Sequence, residues 1–491
     1  MDAGTRRNFA AYYANFIVVA AVGFIVNPLL LGALGPVMFG VWKSLQRFLD
    51  FATVADGRAS QALKWIVAGR VSHPYLELRR DVGAAIIVWC RWFPVALLVA
   101  AGVTVAIPFL VKGIPEDTKA IAYAAAAVLA ANTLLAGLLT VPDSVLIGVN
   151  QGYRSMMVNT ATVLASNGGM VVAAIAGFPL WSLAVIVFAC AVVNAAINVV
   201  VAKRFVPWWG IAKPTTSDLR RVFGYSTWTL GWVAVDKLLL ATELIIISAT
   251  VGVIGVTQYT FTNYVMQFVT SIALITASGF MPVLGALLGA SDGVAAAERA
   301  RSVRHLVVGV AVLGGSAVLA FNGTFVNQWV GEDQYLGNTV NTLLVVAGLQ
   351  LALIRVDGQI LDVTMRIAPK VLFGLISSVG GIVAGWVCFA TTDSLVTALV
   401  AVITVRAVSN LAFPMLIARA VPGSALPFRA LILAVLLLFA SAGAGLLIQA
   451  GEAPSAVALG ACWVGITGAV AWFGLIPRGM VRALLSREEA S

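Results

Sequence analysis

Long apolar stretches separated by short polar segments run along the whole chain. Most of these stretches reach about twenty residues, the length that a helix needs to cross a bilayer, and they lack the strict alternation of barrel strands. The pattern predicts fourteen membrane helices, of which the second and the tenth are the least apolar. We place them at residues 9–32, 36–61, 82–111, 118–148, 153–176, 179–202, 222–250, 253–289, 303–329, 337–364, 370–390, 393–418, 427–449 and 455–477.

Composition restricts the chain to one class of protein. Of its 491 residues, 60% are hydrophobic and 11% are charged, whereas a soluble chain is about 45–50% apolar and about 25% charged. We therefore predict an all-α polytopic membrane protein. The four cysteines lie far apart in apolar segments, which is typical of packing and not of a metal site. No nucleotide-binding loop or catalytic cluster stands out, so we expect neither an enzyme nor a bound metal or cofactor.

Basic residues in the predicted loops indicate the orientation. If helix ends are assigned alternately to two sides, nearly all loop Lys and Arg residues fall on one side and only Lys112 and Lys119 on the other. Cytoplasmic loops carry such an excess, so we predict that both termini are cytoplasmic. The net charge of +10 is then mainly a topology signal, and we expect no nucleic-acid partner. The first apolar run has no signal-peptide cleavage site, so we expect it to be retained as a helix.

Short motifs recur at nearly equal spacing in the two halves of the chain. RRNF at residues 6–9 corresponds to RRVF at 220–223, and SNGG at 166–169 corresponds to SVGG at 378–381. Two halves of six helices each would start on the same side of the membrane and form parallel repeats. The predicted domains are an N-terminal lobe at 1–205, a cytoplasmic linker at 206–221, a C-terminal lobe at 222–425, and an added helix pair with a tail at 426–491.

Charged side chains interrupt two helices that occupy equivalent places in the two halves. At 100° per residue, Lys43, Arg47 and Asp50 form one polar stripe along the second predicted helix. Arg355, Gln359 and Asp362 form a similar stripe along the tenth. Lipid cannot face such a stripe, so it must face protein or a water-filled cavity. Two equivalent stripes predict a central cavity between the lobes.

Further charged residues lie within other predicted helices. They are Arg91, Asp236, Lys237, Glu243 and Arg406. Cations outnumber acids among the deep positions, and arginine is suited to binding phosphate with two parallel hydrogen bonds. The alternative is that these charges pair with one another and hold helices together, and for the adjacent Asp236 and Lys237 both interpretations stay open.

Several motifs together resemble a known family. LGALGPVMFGVWKSL at residues 31–45 is followed by FLDFATVADGRASQALKW at 48–65, with an LG…FG turn and then an Asp56-Gly57 pair. The second half has Asp236-Lys237 and then Gly255…Tyr259, at slightly longer spacing than usual. Over residues 5–425 the chain resembles polysaccharide-transporter flippases of the Wzx type, in the multidrug/oligosaccharidyl-lipid/polysaccharide exporter (MOP) superfamily.

The resemblance implies a flippase of the bacterial inner membrane. It would move a polyprenyl-diphosphate-linked oligosaccharide unit to the outer leaflet by alternating access, for O-antigen or exopolysaccharide synthesis, with membrane lipid around it and a polysaccharide polymerase or chain-length protein as further candidate partners. On this hypothesis the substrate-binding cations are Lys43, Arg47, Arg91, Lys237, Arg355 and Arg406. The supporting or ion-coupling residues are Asp50, Asp236, Glu243, Gln359 and Asp362. Two alternatives remain, a cation-coupled multidrug or metabolite antiporter and a non-transporting partner of a glycan synthase.

Overall fold

A computed structural model describes residues 3–53, 59–70, 73–278, 280–290, 292–364, 367–450 and 453–470. The helices of its first half are α1 Ala3–Ala52, α2 Ala59–Gly69, α3 Tyr75–Leu110, α4 Lys119–Leu139, α5 Val141–Gly148, α6 Gly152–Ile175, α7 Leu180–Phe205 and α8 Thr216–Thr250. Those of its second half are α9 Val253–Thr262, α10 Tyr264–Ser278, α11 Met281–Gly289, α12 Gly293–Val330, α13 Asn338–Val363, α14 Ile367–Thr392, α15 Leu395–Ala420, α16 Phe428–Ala450 and α17 Ala453–Val470. Asp56, Gly57 and Arg366 lie outside the described residues.

The predicted fold class is confirmed, because the described residues form helices and no strand. Ten of these helical segments are long and apolar enough to cross a membrane, which makes the chain a multi-pass membrane protein. Four helices begin at least six residues earlier than the hydrophobic pattern indicates, because charged residues lie in or near their first two turns: α1 at Ala3, α3 at Tyr75, α8 at Thr216 and α12 at Gly293. The predicted helix at 253–289 was wrong as a single element, and the structure divides it into α9, α10 and α11.

The predicted turn between the first two helices is a break within α1 at Gly35. Gly35 has φ 74° and ψ 166°, a backbone conformation that is open to glycine and strained for other residues. Pro36 follows, and its carbonyl accepts a hydrogen bond of 2.6 Å from the Thr257 hydroxyl. Gly40 is required for a different reason, because a Cβ at this position would lie 2.0 Å from the carbonyl oxygen of Val253.

The chain divides into two compact units. The first comprises Met1–Ala234 and Gly252–Thr257, and the second comprises Val235–Val251 and Gln258–Ser491. The short segment 252–257 therefore belongs to the first unit, where the Val253 amide donates to the Lys112 carbonyl at 3.0 Å. The predicted domain boundaries and the predicted central cavity between the lobes stay predictions.

In the first unit, α1 packs against α4 and α6, and α7 packs against α4 and α6. A second core joins α2, α3 and α5 to the segment after α7 through apolar side chains that include Leu78, Val145 and Trp208. Polar contacts fasten the same segment: Arg79 donates to the Trp208 carbonyl at 2.8 Å, and the Ala212 amide donates to the Arg79 carbonyl at 3.0 Å. The stretch predicted as a linker is therefore packed onto the N-terminal end of α3.

A charge network continues this attachment into the start of α8. The buried Asp81 carboxylate pairs with Arg70 at 2.6 Å and with Arg221 at 3.0 Å. Asp218 accepts hydrogen bonds from the Thr215 hydroxyl at 2.6 Å and the Thr215 amide at 2.9 Å. Burial raises the pKa of Asp218, but the Thr215 hydrogen bonds and the neighbouring Arg221 outweigh burial and lower the pKa below its usual value.

In the second unit, α12 packs against α10, α13 and α16, and α15 packs against α13 and α14. Arg304, the second residue of the predicted helix at 303–329, lies buried on α12. Its guanidinium contacts both carboxylate oxygens of Asp357, at 2.7 and 3.2 Å, and donates to the Ser424 carbonyl at 3.2 Å. This bidentate pair connects α12, α13 and the segment that precedes α16.

Candidate functional site

The stripe on α1 carries two cations beside each other. Lys43 and Arg47 are half-buried, while Trp42 and Leu45 on the other side of the helix are fully buried. The Lys43 Nζ lies 5.3 Å from the centroid of the Phe39 ring, a cation–π contact that does not neutralise the charge. Within the described part of the chain, neither Lys43 nor Arg47 forms an ion pair. Asp50, one turn further along, is half-buried.

Arg91 is a third cation of the first unit without an acidic partner among the described residues. It lies near the middle of the candidate span Tyr75–Ile107 and is exposed, as is Cys90 beside it. An arginine at this depth costs about 2.5–3.5 kcal/mol even on the lenient insertion scales if it must face lipid. The side chain therefore needs a polar face, which is the environment that a path for a charged substrate would provide.

In the second unit, by contrast, charged residues of the helices form ion pairs. The first example involves Arg355 on the tenth predicted helix. Arg355 contacts both carboxylate oxygens of Asp236, at 2.9 and 3.3 Å. The side chains retain 19% and 23% exposure, so this pair is neutralised but still accessible. Lys237, the next residue on α8, is half-buried.

Arg406 was predicted as a substrate-binding cation, but the structure provides it with internal partners. Its side chain is fully buried and lies 2.6 Å from the Glu243 carboxylate. It also donates to the Leu239 carbonyl at 3.2 Å and the Ala347 carbonyl at 3.4 Å. The Arg406–Glu243 pair joins α15, α8 and α13, and both of its side chains are buried.

Asp362 and Gln359 are also engaged. Asp362 pairs with Lys370, the first residue of the predicted helix at 370–390, which is fully buried on α14. Lys370 also donates to the Gly358 carbonyl at 3.4 Å. The Gln359 amide donates to the Ser278 hydroxyl at 2.8 Å.

A polar cavity of about 420 Å³ in the first unit was missed by the sequence reasoning. It is lined by residues of α4, α5, α6 and α7, among them Asn132, Asn159, Asn194 and Asn198. Asn194 and Asn198 are four residues apart and so share a helix face. That spacing was the available signal, but a lone amide pair in an apolar helix does not reveal which other helices face it. Among the described residues, no group of three His, Cys, Asp or Glu side chains could hold a metal ion.

Comparison with known proteins gives no match to any protein-family model and no match among curated proteins. Solved transporter structures do match. The lipid II flippase MurJ, in an inward closed conformation, matches with a TM-score of 0.65 and 10% identity, over 96% of this chain and 99% of that one. A mutant of the Vibrio cholerae MATE transporter VcmN matches with a TM-score of 0.57 and 16% identity, over 86% and 98%. An inward-facing multidrug resistance MATE family transporter of the MOP superfamily matches with a TM-score of 0.53 and 14% identity, over 84% and 96%.

These likenesses show that the chain has the fold of MOP superfamily transporters, as the sequence motifs indicated. The neighbours are transporters and not enzymes. Because a lipid flippase and multidrug transporters share this fold, the substrate has to be argued from side chains.

Proposed function

We propose that this protein is a flippase that moves a polyprenyl-diphosphate-linked oligosaccharide from the cytoplasmic to the outer leaflet of the bacterial inner membrane, for surface polysaccharide synthesis. The observation that carries the proposal is a charge imbalance. Lys43, Arg47 and Arg91 lie in membrane spans of the first unit without an ion-pair partner among the described residues.

Unpaired cations at membrane depth are costly, which favours a functional reason for keeping them. A diphosphate supplies the missing negative charge, and the arginine fork can hold two phosphate oxygens at once. The ammonium of Lys43 would add a point charge beside Arg47. An inside-negative membrane potential favours outward movement of an anion by about 2.3 kcal/mol per charge per 100 mV, so the lipid-linked diphosphate would be driven in the proposed direction.

The competing function is a cation-coupled antiporter, and the MATE transporters among the structural neighbours favour considering it. Such a protein needs a carboxylate that is available to a cationic drug or to a coupling ion. In the second unit, the four carboxylates on α8 and α13 each pair with a base. The pairs are Asp236–Arg355, Glu243–Arg406, Asp357–Arg304 and Asp362–Lys370. This balance supports an anionic substrate.

Leaflet-specific labelling of the lipid-linked sugar tests the proposal. In cells that lack the protein, the sugar-linked diphosphate should accumulate on the cytoplasmic leaflet and surface polysaccharide should fall, while sensitivity to cationic dyes stays unchanged. An unchanged leaflet distribution together with a sharp rise in dye sensitivity would reject the flippase and favour the antiporter.

Complementation with variants connects the test to the cations. Arg47→Ala should fail to restore export although its abundance is normal, because Arg47 contributes charge and little packing. Arg47→Lys should restore export in part, since lysine keeps the charge without the fork. The matched control is Arg301→Ala, since Arg301 is exposed on α12 and should support full export. Normal export by Arg47→Ala at equal abundance would remove Arg47 from the substrate path.

A further inference from the structure

The cavity in the first unit has the form of a built site. It lies between α4, α5, α6 and α7, and α1 adjoins it, because Asn15 accepts hydrogen bonds from Asn159 at 3.2 Å and Thr160 at 2.9 Å. Lining residues extend along α6 from Ser155 to Asn167, a rise of about 18 Å at 1.5 Å per residue. Its volume of about 420 Å³ falls within the roughly 300–1,000 Å³ of small-molecule sites.

The lining is almost uncharged and mixes polar with apolar side chains. Nine of its seventeen residues carry a carboxamide or a hydroxyl, while apolar atoms, such as those of Met156 and Val187, form most of the exposed wall. Asp143 is the single Asp, Glu, Lys or Arg in this lining, and its carboxylate accepts a hydrogen bond from Ser155. A cavity of this composition does not attract a diphosphate or a multivalent cation by charge.

One buried polar atom in the lining lacks a hydrogen-bond partner within the described chain. The Asn198 amide donates to Asn194 at 2.6 Å, and Asn194 donates to Thr162 at 2.7 Å. The Oδ1 of Asn198 is buried and accepts no hydrogen bond from the described residues, although Asn198 is only 2% exposed. An orphaned buried acceptor costs about 1–3 kcal/mol and calls for an explanation. A bound ligand with hydroxyl donors would supply one.

We infer that this cavity binds uncharged sugar hydroxyls of the transported glycan, separately from the cations that take the diphosphate. Each carboxamide offers both donors and acceptors, and a hydroxyl group needs both. The apolar part of the wall suits the C–H faces of a sugar ring. The inference rests on the proposed function, since it assigns a second part of the same substrate to a second place in the protein.

Cys190 lines the cavity and provides a native reporter of its occupancy. The other three cysteines do not line it, and they can be replaced by Cys90→Ser, Cys388→Ser and Cys462→Ser. The rate at which N-ethylmaleimide labels Cys190 in the purified protein then measures access. A second reporter is Gln46→Cys, combined with Cys190→Ser in the same background. It lies beside Arg47 on the polar stripe, and its labelling rate measures occupancy of the proposed diphosphate site.

Two probes distinguish the sugar from its carrier. Glycan-linked carrier extracted from the producing cells should slow labelling of Cys190 about tenfold at a concentration about nine times its Kd. Sugar-free undecaprenyl diphosphate should leave Cys190 unchanged, and both probes should slow labelling at position 46. Asn198→Leu should raise the Kd for the protection of Cys190 about tenfold. Asn410→Leu, outside the cavity, should leave that Kd unchanged.

The contrary outcomes separate the two proposals. Protection at position 46 with no protection of Cys190 would reject the sugar site and leave the flippase intact. Protection at neither position would reject the flippase, and the sugar site with it. Equal protection of Cys190 by the sugar-free carrier, or protection by sodium ions alone, would make the cavity a carrier site or an ion site and overturn the inference.

Discussion

Replacing Arg406 by leucine should destabilise the protein strongly, because the change leaves a buried carboxylate without its base. Arg406 is fully buried, and the Glu243 side chain is 7% exposed at 2.6 Å from it. Breaking a buried pair by removing one partner costs about 3–5 kcal/mol, whereas replacing both partners by apolar groups is often neutral. The double variant Arg406→Leu/Glu243→Leu should therefore recover most of the stability that the single variant loses.

The expected change in Tm follows from the length of the unit that holds the pair. For a domain of about 150–250 residues, each kcal/mol shifts Tm by about 2–4 °C, so the single variant should lower Tm by about 6–20 °C. Thermal unfolding of the purified protein in detergent, followed by tryptophan fluorescence, measures the shift. Arg301→Leu is the matched control, because a substitution at an exposed arginine changes stability by about 0.5 kcal/mol or less.

Two results would refute this reasoning. If Arg406→Leu keeps the wild-type Tm but loses glycan export, Arg406 binds substrate, as the sequence-based hypothesis states. If the double variant is as unstable as the single variant, the loss comes from packing or from the carbonyl contacts and not from an unpaired carboxylate.

Three further predictions concern orientation, packing and pH. A reporter fused after Ser491 should read cytoplasmic and one inserted at Glu116 periplasmic; the same reading at both positions would contradict the predicted helix count. Gly83→Val should reduce abundance in the membrane, because a Cβ there would lie 2.1 Å from the Ala212 carbonyl oxygen, whereas Gly102→Val, with no atom within 4 Å of its Cβ, should express normally. The pKa of Asp218 is lowered in the folded protein. Its contribution to stability is therefore present above about pH 4 and is lost as the pH falls through the lowered pKa. The Tm difference between wild type and Asp218→Asn should shrink on acidification, and a constant difference would contradict the assignment.

Hydrophobic patterning alone determined the fold class and most of the helices. Outside a barrel, a span of about twenty apolar residues can satisfy its backbone hydrogen bonds in lipid only as a helix, so local sequence is sufficient to identify it. The LG…FG turn was also readable, since Gly35 and Pro36 are residues that interrupt a helix. The break between α9 and α10 at Asn263 has neither residue and was not readable. The break between α10 and α11 did carry a signal, because Pro282 lies in the first turn of α11.

The sequence alone showed on which helix face the charged residues lie, but not which of them are paired. Helical spacing places Lys43 and Arg47 on one face, because that relation joins residues four apart. Whether a charge is available to a substrate depends on partners far away in the chain. Arg406 meets Glu243 across 163 positions, and Arg355 meets Asp236 across 119.

Tertiary packing therefore decided which cations are neutralised and which are not. A buried charge is tolerated only beside an opposite charge or hydrogen-bond partners, and the fold supplies these for Arg304, Arg355, Lys370 and Arg406. The amide cavity has the same origin, since its lining comes from four helices that no local pattern connects. Sequence periodicity defines the face of one helix, and only the packed bundle determines what that face meets.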